Sequence, residues 1–199
     1  MSSKAAVKPK DPSTNGLAKA LWAPESIALV GASEDERKHT SRPLQYLIRH
    51  GFAGRIHPVN PKRQTVQGIA AYPSVGAIEA APDHAMVMVP AAAVPEVLRD
   101  CGRAGVACAT IYSDGFAEAG PAGRRRQEEL VAIARDSGLR LLGPNSIGLV
   151  NAAKGVALSA NEVLSLPFVP GGRIALVSQS GSMLGALLSR GQARGIGFS

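Results

Sequence analysis

Small and polar residues follow the first long apolar run of this chain. Residues 27–30 are Ile, Ala, Leu and Val, and the run ends in Gly31, Ala32 and Ser33. Such a run is typical of a strand buried on both faces of a parallel sheet. Glycine lets the following turn approach a ligand closely, and Ser33 offers a hydroxyl and backbone N–H groups to an anion. Residues 27–33 are therefore either a strand that leads into an anion site or simply a first core strand.

A second candidate follows the next apolar segment, where Asn60 and Pro61 precede Lys62 and Arg63. A nicotinamide-dinucleotide site needs three glycines after the first strand and an acidic residue at the end of the second. This chain has Gly31 alone and cations in place of the acid, which disfavours NAD. NADP stays open, because Lys62 and Arg63 can bind a 2′-phosphate. Coenzyme A, with its phosphorylated ribose and diphosphate, fits better, since Lys62 supplies a point charge suited to phosphate; the alternative is a solvated surface lysine.

The apolar pattern predicts the elements that bring these turns together. Strands are predicted over 27–31, 55–60, 84–89, 106–112 and 139–142, and helices over 17–22, 41–50, 94–101 and 121–137, with a short extended piece at 69–72. We expect Trp22 in the core, and Val131 on the inner face of the last helix. Strands that alternate with helices through right-handed crossovers form an α/β fold, here a Rossmann-like, doubly wound parallel sheet. Its loops after the strands meet at one edge.

Four regions are predicted along the chain. Residues 1–16, rich in Lys, Ser and Pro, are expected to be a disordered tail, 17–150 the main domain, and 151–172 a linker. Residues 173–199 are expected to begin a second, flavodoxin-like domain, with a buried strand over 173–177 followed by an apolar helix. One strand–helix unit cannot enclose a core, so we expect the chain to be a fragment or one piece of a split system.

Composition narrows the class of protein. The net charge is +7, but basic and aromatic residues do not alternate, which disfavours nucleic acid. Cys101 and Cys108 lack the spacing of metal ligands, and two cysteines cannot build a disulfide framework. There is neither a hydrophobic signal core nor an apolar run of the ~20 residues that a membrane helix needs. We therefore expect a cytoplasmic protein without a membrane segment or a metal site.

Seven segments together resemble the CoA-binding domain of the NDP-forming (ADP-forming) acyl-CoA synthetases, relatives of the succinyl-CoA synthetase alpha subunit. The resemblance covers about 17–199, and its order and spacing are specific. The matching segments are 28–33, 54–62, 71–74, 89–91, 113–118, 142–148 and 176–181.

The resemblance implies a role for each loop. Gly31, Ala32 and Ser33 would face the CoA diphosphate or its ribose, and Lys62 a phosphate, with Asn60 in the Asn-Pro pair that fixes its loop. The other predicted site residues would contact the remaining parts of the CoA molecule. The adenine or pantetheine path is assigned to Val89 and Pro90, the side of the pantetheine to Ser113, Asp114 and Gly115, and the floor near the thiol to Pro144 and Asn145.

The family also implies a catalytic part beyond these loops. Ser180, Gly181 and Ser182 would open a helix whose N-terminus faces the phosphate on a catalytic histidine, and a helix start is an anion site. The family forms that phosphohistidine in a later loop, where this chain has no histidine. Nor does the chain contain the ATP-grasp domain that binds ATP or ADP. Residues 38–42 stand where relatives carry glycines, and His39 there is either solvated or in contact with phosphate.

The expected function is thus the CoA-binding portion of an acyl-CoA synthetase, which is not catalytic alone. The full reaction implied is carboxylic acid, CoA and ATP to acyl-CoA, ADP and phosphate, with an ATP-grasp subunit or domain as partner. Two alternatives remain at this point. One is a CoA-responsive regulatory module of an acetyltransferase, and the other is an NADP-dependent oxidoreductase domain.

Overall fold

The computed structural model describes residues 14–166 and 171–199. The α-helices found there are α1 Thr14–Trp22, α2 Arg42–Arg49, α3 Val94–Ala104, α4 Pro121–Ser137 and α5 Gly181–Gln192. The strands are β1 Ser26–Val30, β2 Arg55–Val59, β3 Thr65–Val66, β4 Ile69–Ala70, β5 His84–Val87, β6 Cys108–Ile111, β7 Arg140–Leu142, β8 Gly148–Asn151, β9 Val156–Ser159 and β10 Gly171–Ile174.

Five of these strands form one parallel sheet in the order β2-β1-β5-β6-β7. Ile27 of β1 lies between Ile56 of β2 and His84 of β5, which fixes the register at the centre. The chain builds outward from β1 to β2, then returns to β5 and continues to the other side. The predicted α/β, Rossmann-like parallel sheet is confirmed. In such a sheet a crevice opens where the order reverses, at the carboxyl ends of β1 and β5.

Both faces of the sheet are covered, which is why the central strands are apolar without alternation. Ala28 and Val30 of β1 pack in the core on the face covered by α3 and α4. Ile27 and Leu29 point to the other face, into a core shared with α2 and with the antiparallel β8–β9 hairpin. The sheet can therefore hold its edge loops rigidly from both sides.

His84 ties α1 to the sheet. Its Nδ1–H donates to the Ala20 carbonyl oxygen at 3.0 Å, since a carbonyl can only accept, and its Nε2 accepts from Thr110 Oγ1 at 2.7 Å. Burial lowers the pKa of His84 to about 4, so the ring is neutral near pH 7. The prediction that Trp22 belongs to the core was wrong, because this side chain at the end of α1 is 51% exposed.

Two further features predicted to be buried lie outside the core, one residue of α4 and the strand β10. In α4, Leu130 and Ile133 are buried as predicted, but Val131 is 40% exposed because it lies about 100° around the helix from Leu130. The prediction of a buried strand over 173–177 was wrong in bounds and burial, because β10 spans Gly171–Ile174 and is exposed along its length. Its described residues pair with Phe198 alone, so no sheet covers it there.

The predicted linker, 151–172, contributes to the main core over its first part. Val156 and Leu158 of β9 are buried against the sheet, and Leu164 is buried in a small cluster with Tyr46. The domain boundary itself stays a prediction. Residues 1–13 of the predicted tail and 167–170 of the linker lie outside the described residues.

Within the described residues, no helix combines the length and the apolar character needed to cross a bilayer. Cys101 and Cys108 are free and buried, and burial raises the pKa of each thiol to about 12. Both thiols therefore stay protonated and unreactive at neutral pH.

Candidate functional site

The turn after β1 touches the turn after β5 directly at Gly31. Its φ of +87° lies in the left-handed region, and a Cβ built there would lie 2.8 Å from the Met88 carbonyl oxygen and 3.0 Å from Val89 Cγ1. Only glycine accepts both this conformation and this contact. The Gly31 N–H also donates to the Val59 carbonyl oxygen at 3.0 Å, which continues the β1–β2 pairing into the turn.

Asn60 joins the turn after β2 to the turn after β1. Its Nδ2 donates to the Ala32 carbonyl oxygen at 3.3 Å, and its Oδ1 accepts from the Lys62 N–H at 3.0 Å. The amide side chain thus fixes the backbone of both turns on the β1–β2 side of the crevice. The Lys62 side chain is exposed, so its ammonium can reach an anion at this edge.

Ser33 belongs to a compact loop with local hydrogen bonds. Its Oγ accepts from the Asp35 N–H at 3.0 Å, which leaves the hydroxyl proton for another acceptor. The Asp35 carboxylate is bound by Arg37, and this hydrogen bond lowers the pKa of Asp35. In the part of the chain that the structure describes, the N–H groups of Ala32 and Glu34 donate to no acceptor, but Ala32 is fully buried and only Glu34 is exposed. Unused donors of this kind can bind a phosphate.

The turns after β5, β6 and β7 form a second linked group. Ser113 Oγ donates to the Val89 carbonyl oxygen, and the Asn145 N–H donates to the Ser113 carbonyl oxygen at 2.9 Å. Pro144 follows a cis peptide bond from Gly143. The contact between Gly31 and Val89 joins this group to the turns after β1 and β2. The twelve residues predicted for the CoA site thus lie on five neighbouring loops at one edge.

The loop that carries Asp114 and Gly115 is held by two charged side chains. Glu118 Oε1 accepts from the N–H of Phe116 at 3.1 Å and from that of Gly115 at 2.7 Å, and these backbone donors lower the pKa of Glu118. Arg126 Nη1 donates to the Gly115 carbonyl oxygen at 2.5 Å. The Asp114 side chain stays exposed, next to a backbone fixed from both directions.

The start of α5 lies beside the segment that follows β7. The Gly181 carbonyl oxygen accepts from Asn161 Nδ2 at 3.1 Å, and a Cβ on Gly181 would lie 3.2 Å from Ile147 Cδ1. Ser180 is the N-cap, with its Oγ accepting from the Met183 N–H at 3.3 Å. The structure therefore places the predicted phosphate-facing helix start next to the β7 loop.

Comparison with known proteins identifies the family. A family model described as CoA binding domain matches residues 25–152. The chain belongs to this family. Acetate–CoA ligase [ADP-forming] I of Archaeoglobus fulgidus is 37% identical over 179 residues, which cover 90% of this chain and 25% of that protein. Acetate–CoA ligase [ADP-forming] I subunit alpha of Pyrococcus furiosus is 37% identical over 184 residues, 90% of this chain and 39% of the subunit.

A solved structure agrees with these sequences. The dinucleotide forming acetyl-coenzyme A synthetase 1 of Ca. Korarchaeum cryptofilum, in its apo form, aligns with a TM-score of 0.84 and 35% identity. The alignment covers 92% of this chain and 38% of that one. The predicted resemblance to the ADP-forming acyl-CoA synthetases is confirmed. The chain corresponds to their CoA-binding part and spans about a quarter of the A. fulgidus protein.

Of the four histidines of this CoA binding domain, only His39 lies in a loop of the predicted site, the one that follows β1. His84 is buried and bonded at both nitrogens, and His50 Nε2 lies 2.8 Å from the Leu164 carbonyl oxygen. Burial lowers the pKa of His57, which packs edge-on against Tyr72. His39 is exposed in a short 3-10 helix, and no described contact ties it to the site.

The sequence did not predict the residues whose side chains fix the loops by hydrogen bonds to their backbone. Glu118 and Arg126 hold the Gly115 loop, and Asn161 holds the start of α5. Gln67, whose Nε2 lies 2.8 Å from the Ser33 carbonyl oxygen, is the fourth. For Gln67 the sequence indicates only a turn, through Gly68 between two short apolar pieces, and not the contacts of the Gln67 side chain.

Proposed function

We propose that this chain binds coenzyme A across the carboxyl edge of its sheet and serves as the CoA-binding part of an ADP-forming acid–CoA ligase. The observation that carries the proposal is the unbroken series of contacts among five loops around the point where the strand order reverses. Backbone and small side chains line this series, as a ligand with a long, narrow pantetheine arm requires. Open α/β sheets bind their ligands at this place.

The phosphates of CoA fit the side of the crevice formed by β1 and β2. Glu34 offers an unused N–H group, Ser33 offers a hydroxyl proton, and Lys62 offers an exposed ammonium. Because Ala32 is fully buried, the directional donors are the Glu34 N–H and the Ser33 hydroxyl, and Lys62 adds a point charge for a phosphate. We assign Gly31, Ala32 and Ser33 to the diphosphate or ribose, and Lys62, set by Asn60, to a phosphate.

The pantetheine fits the side formed by β5, β6 and β7. We assign Val89 and Pro90 to its path, because Val89 packs against Gly31 at the crevice. The loop of Ser113, Asp114 and Gly115 would lie beside it. Its floor near the thiol would be formed by Pro144 and Asn145.

The chain is proposed to bind without turning over. The full reaction joins a carboxylic acid to CoA and splits ATP into ADP and phosphate, and it needs a histidine that carries the phosphoryl group. His84 is enclosed, His50 and His57 lie outside the five loops, and the exposed His39 does not lie in the later loop where the family forms its phosphohistidine. We therefore assign phosphoryl transfer to a further domain or subunit of the ATP-grasp type. The P. furiosus relative is itself named as a subunit alpha.

A reducing compartment suits the two buried free thiols, Cys101 and Cys108. We accordingly propose the cytoplasm as the location of this chain.

Isothermal titration with CoA and with dephospho-CoA tests the proposal. We expect saturable binding of CoA and about tenfold weaker binding of dephospho-CoA, since one phosphate contact to a cation contributes on the order of 1.4 kcal/mol. Lys62→Ala is expected to remove most of that difference. Lys154→Ala, an exposed lysine at the opposite end of the strands, is the matched control and is expected to leave it unchanged.

Two outcomes would contradict different parts of the proposal. Absence of CoA binding by the unchanged chain overturns the function itself. Equal affinities for CoA and dephospho-CoA overturn the role of Lys62 alone. A parallel fluorescence titration with NADPH separates the oxidoreductase alternative, and we expect no tight binding there, because Gly31 is followed by Ala32 and Ser33 instead of the further glycines.

A further inference from the structure

A small hairpin reaches from the edge of the sheet to the loop that follows β1. β3 and β4 pair antiparallel, with Val66 opposite Ile69, so Gln67 and Gly68 form a two-residue turn. Their φ values are 49° and 78°, both in the left-handed region, as in a type I′ hairpin turn. A non-glycine residue with positive φ is uncommon, so Gln67 stands at a position whose backbone favours another residue.

Gln67 closes the loop between residues 33 and 41. Its Nε2 donates to the carbonyl oxygens of Ser33 at 2.8 Å and of Ser41 at 3.2 Å, which lie at the two ends of the loop. Its backbone N–H donates to Glu34 Oε2 at 2.7 Å. Within the loop, the Ser33 N–H donates to the Thr40 carbonyl oxygen at 3.3 Å. One side chain thus holds both ends of the loop together.

The hairpin itself is anchored to the sheet. Val66 is fully buried in the core on the α2 face. At the base of the hairpin, the Tyr72 N–H donates to the Pro58 carbonyl oxygen at 2.9 Å, and the Asn60 N–H donates to the Tyr72 carbonyl oxygen at 2.8 Å. The position of Gln67 is therefore fixed relative to β2 and to the Asn60 turn.

We infer that Gln67 is a positioning residue for ligand binding, and that it acts by holding the 33–41 loop in the conformation that receives the CoA phosphates. The inference rests on the proposed function. Gln67 binds the loop through carbonyl oxygens, so the N–H group of exposed Glu34 remains available to an anion. Its N–H also holds the Glu34 carboxylate, which would otherwise be free to approach and repel a phosphate.

Two substitutions and one control test this role. Gln67→Ala removes the amide, and Gln67→Gly removes it while favouring the positive φ, so the glycine variant separates positioning from fold stability. Gln64→Ala, in the same hairpin segment, is the matched control, because the Gln64 side chain is exposed and makes no hydrogen bond within the described residues. All three, with the unchanged chain, are titrated with CoA and followed by thermal unfolding and amide hydrogen exchange.

We expect the Kd for CoA to rise about five- to tenfold in both Gln67 variants, as for the loss of one or two hydrogen bonds. The Ser33 N–H should exchange faster in both, the unfolding temperature of Gln67→Gly should not fall, and Gln64→Ala should behave as the unchanged chain. A Kd within twofold in both variants overturns the inference and leaves the proposed function standing. Weakening in Gln67→Ala alone also overturns it, because the backbone would then be the cause. If the unchanged chain does not bind CoA, the proposed function and this inference fail together.

Discussion

Gly31 is the residue at which the two halves of the proposed site touch. Its missing side chain brings the turn after β1 against Met88 and Val89 of the turn after β5, and the two turns share one wall. Asn60 and Ser113 extend this wall by single hydrogen bonds to the carbonyl oxygens of Ala32 and Val89. At this scale, side chains fix backbone positions, and the backbone forms the surface offered to a ligand.

Gly31→Ala should destabilise the chain by about 2–4 kcal/mol, the sum of a left-handed backbone cost and of overlap with Met88. Gly138→Ala is the matched control, since Gly138 has a φ of +72° but no atom within 4 Å of a built Cβ. It should lose only about 1–2 kcal/mol. Urea unfolding measures both. Equal losses would show that the contact with Met88 and Val89 is unimportant.

At the scale of elements, α1 depends on one buried imidazole. Neutral His84 donates to Ala20 of α1 and accepts from Thr110 of β6, and the second contact needs the uncharged ring, because a protonated ring has no acceptor nitrogen. Its pKa is about 4 in the folded chain and near 6.5 when exposed. The unfolded chain therefore binds more protons between these values, so stability is full above about pH 6.5 and falls as the pH drops towards 4.

The expected loss over this window is about 3 kcal/mol, from a pKa difference of roughly 2.5. His84→Asn keeps a donor for Ala20 but does not titrate, so its free energy of unfolding should fall less between pH 7 and pH 4.5. Urea unfolding at several pH values compares the two chains. A parallel fall in both would assign the pH dependence to the carboxylates.

The main elements follow from their apolar pattern, since β1 and β5 are continuous apolar runs and the helices keep their inner stripes. The β3–β4 hairpin was predicted only as an extended piece, because its strands have two residues each. Trp22 and Val131 were wrongly assigned to the core, because apolar character does not show whether a residue lies at the centre or at the edge of the surface that a helix buries. The role of Gly31 and Lys62 in binding stays a prediction, but both were proposed as site residues from their residue types and from their places after the first two predicted strands. Gln67 was not, because its partners are carbonyl oxygens that carry no sequence signal.

Across the whole molecule, the described segments differ in how well their apolar side chains are buried. Residues 25–160 fill both faces of the sheet. Exposed apolar side chains concentrate in 171–199, where Val177 is 93% exposed and Met183 and Leu187 are exposed on α5. Exposed apolar surface often marks an interaction site, so this distribution supports the proposal of a further domain or subunit.

Amide hydrogen exchange with and without CoA tests the central claim most directly, because it reports where the ligand lies. The account predicts protection of 31–36, 60–63, 89–91, 113–115 and 144–145, on the five loops at the carboxyl edge. A cavity of about 650 Å³ lies at the opposite end of the strands, lined among others by Phe52, Arg55 and Lys154. Protection confined to that cavity, or no protection at saturating CoA, would contradict the account.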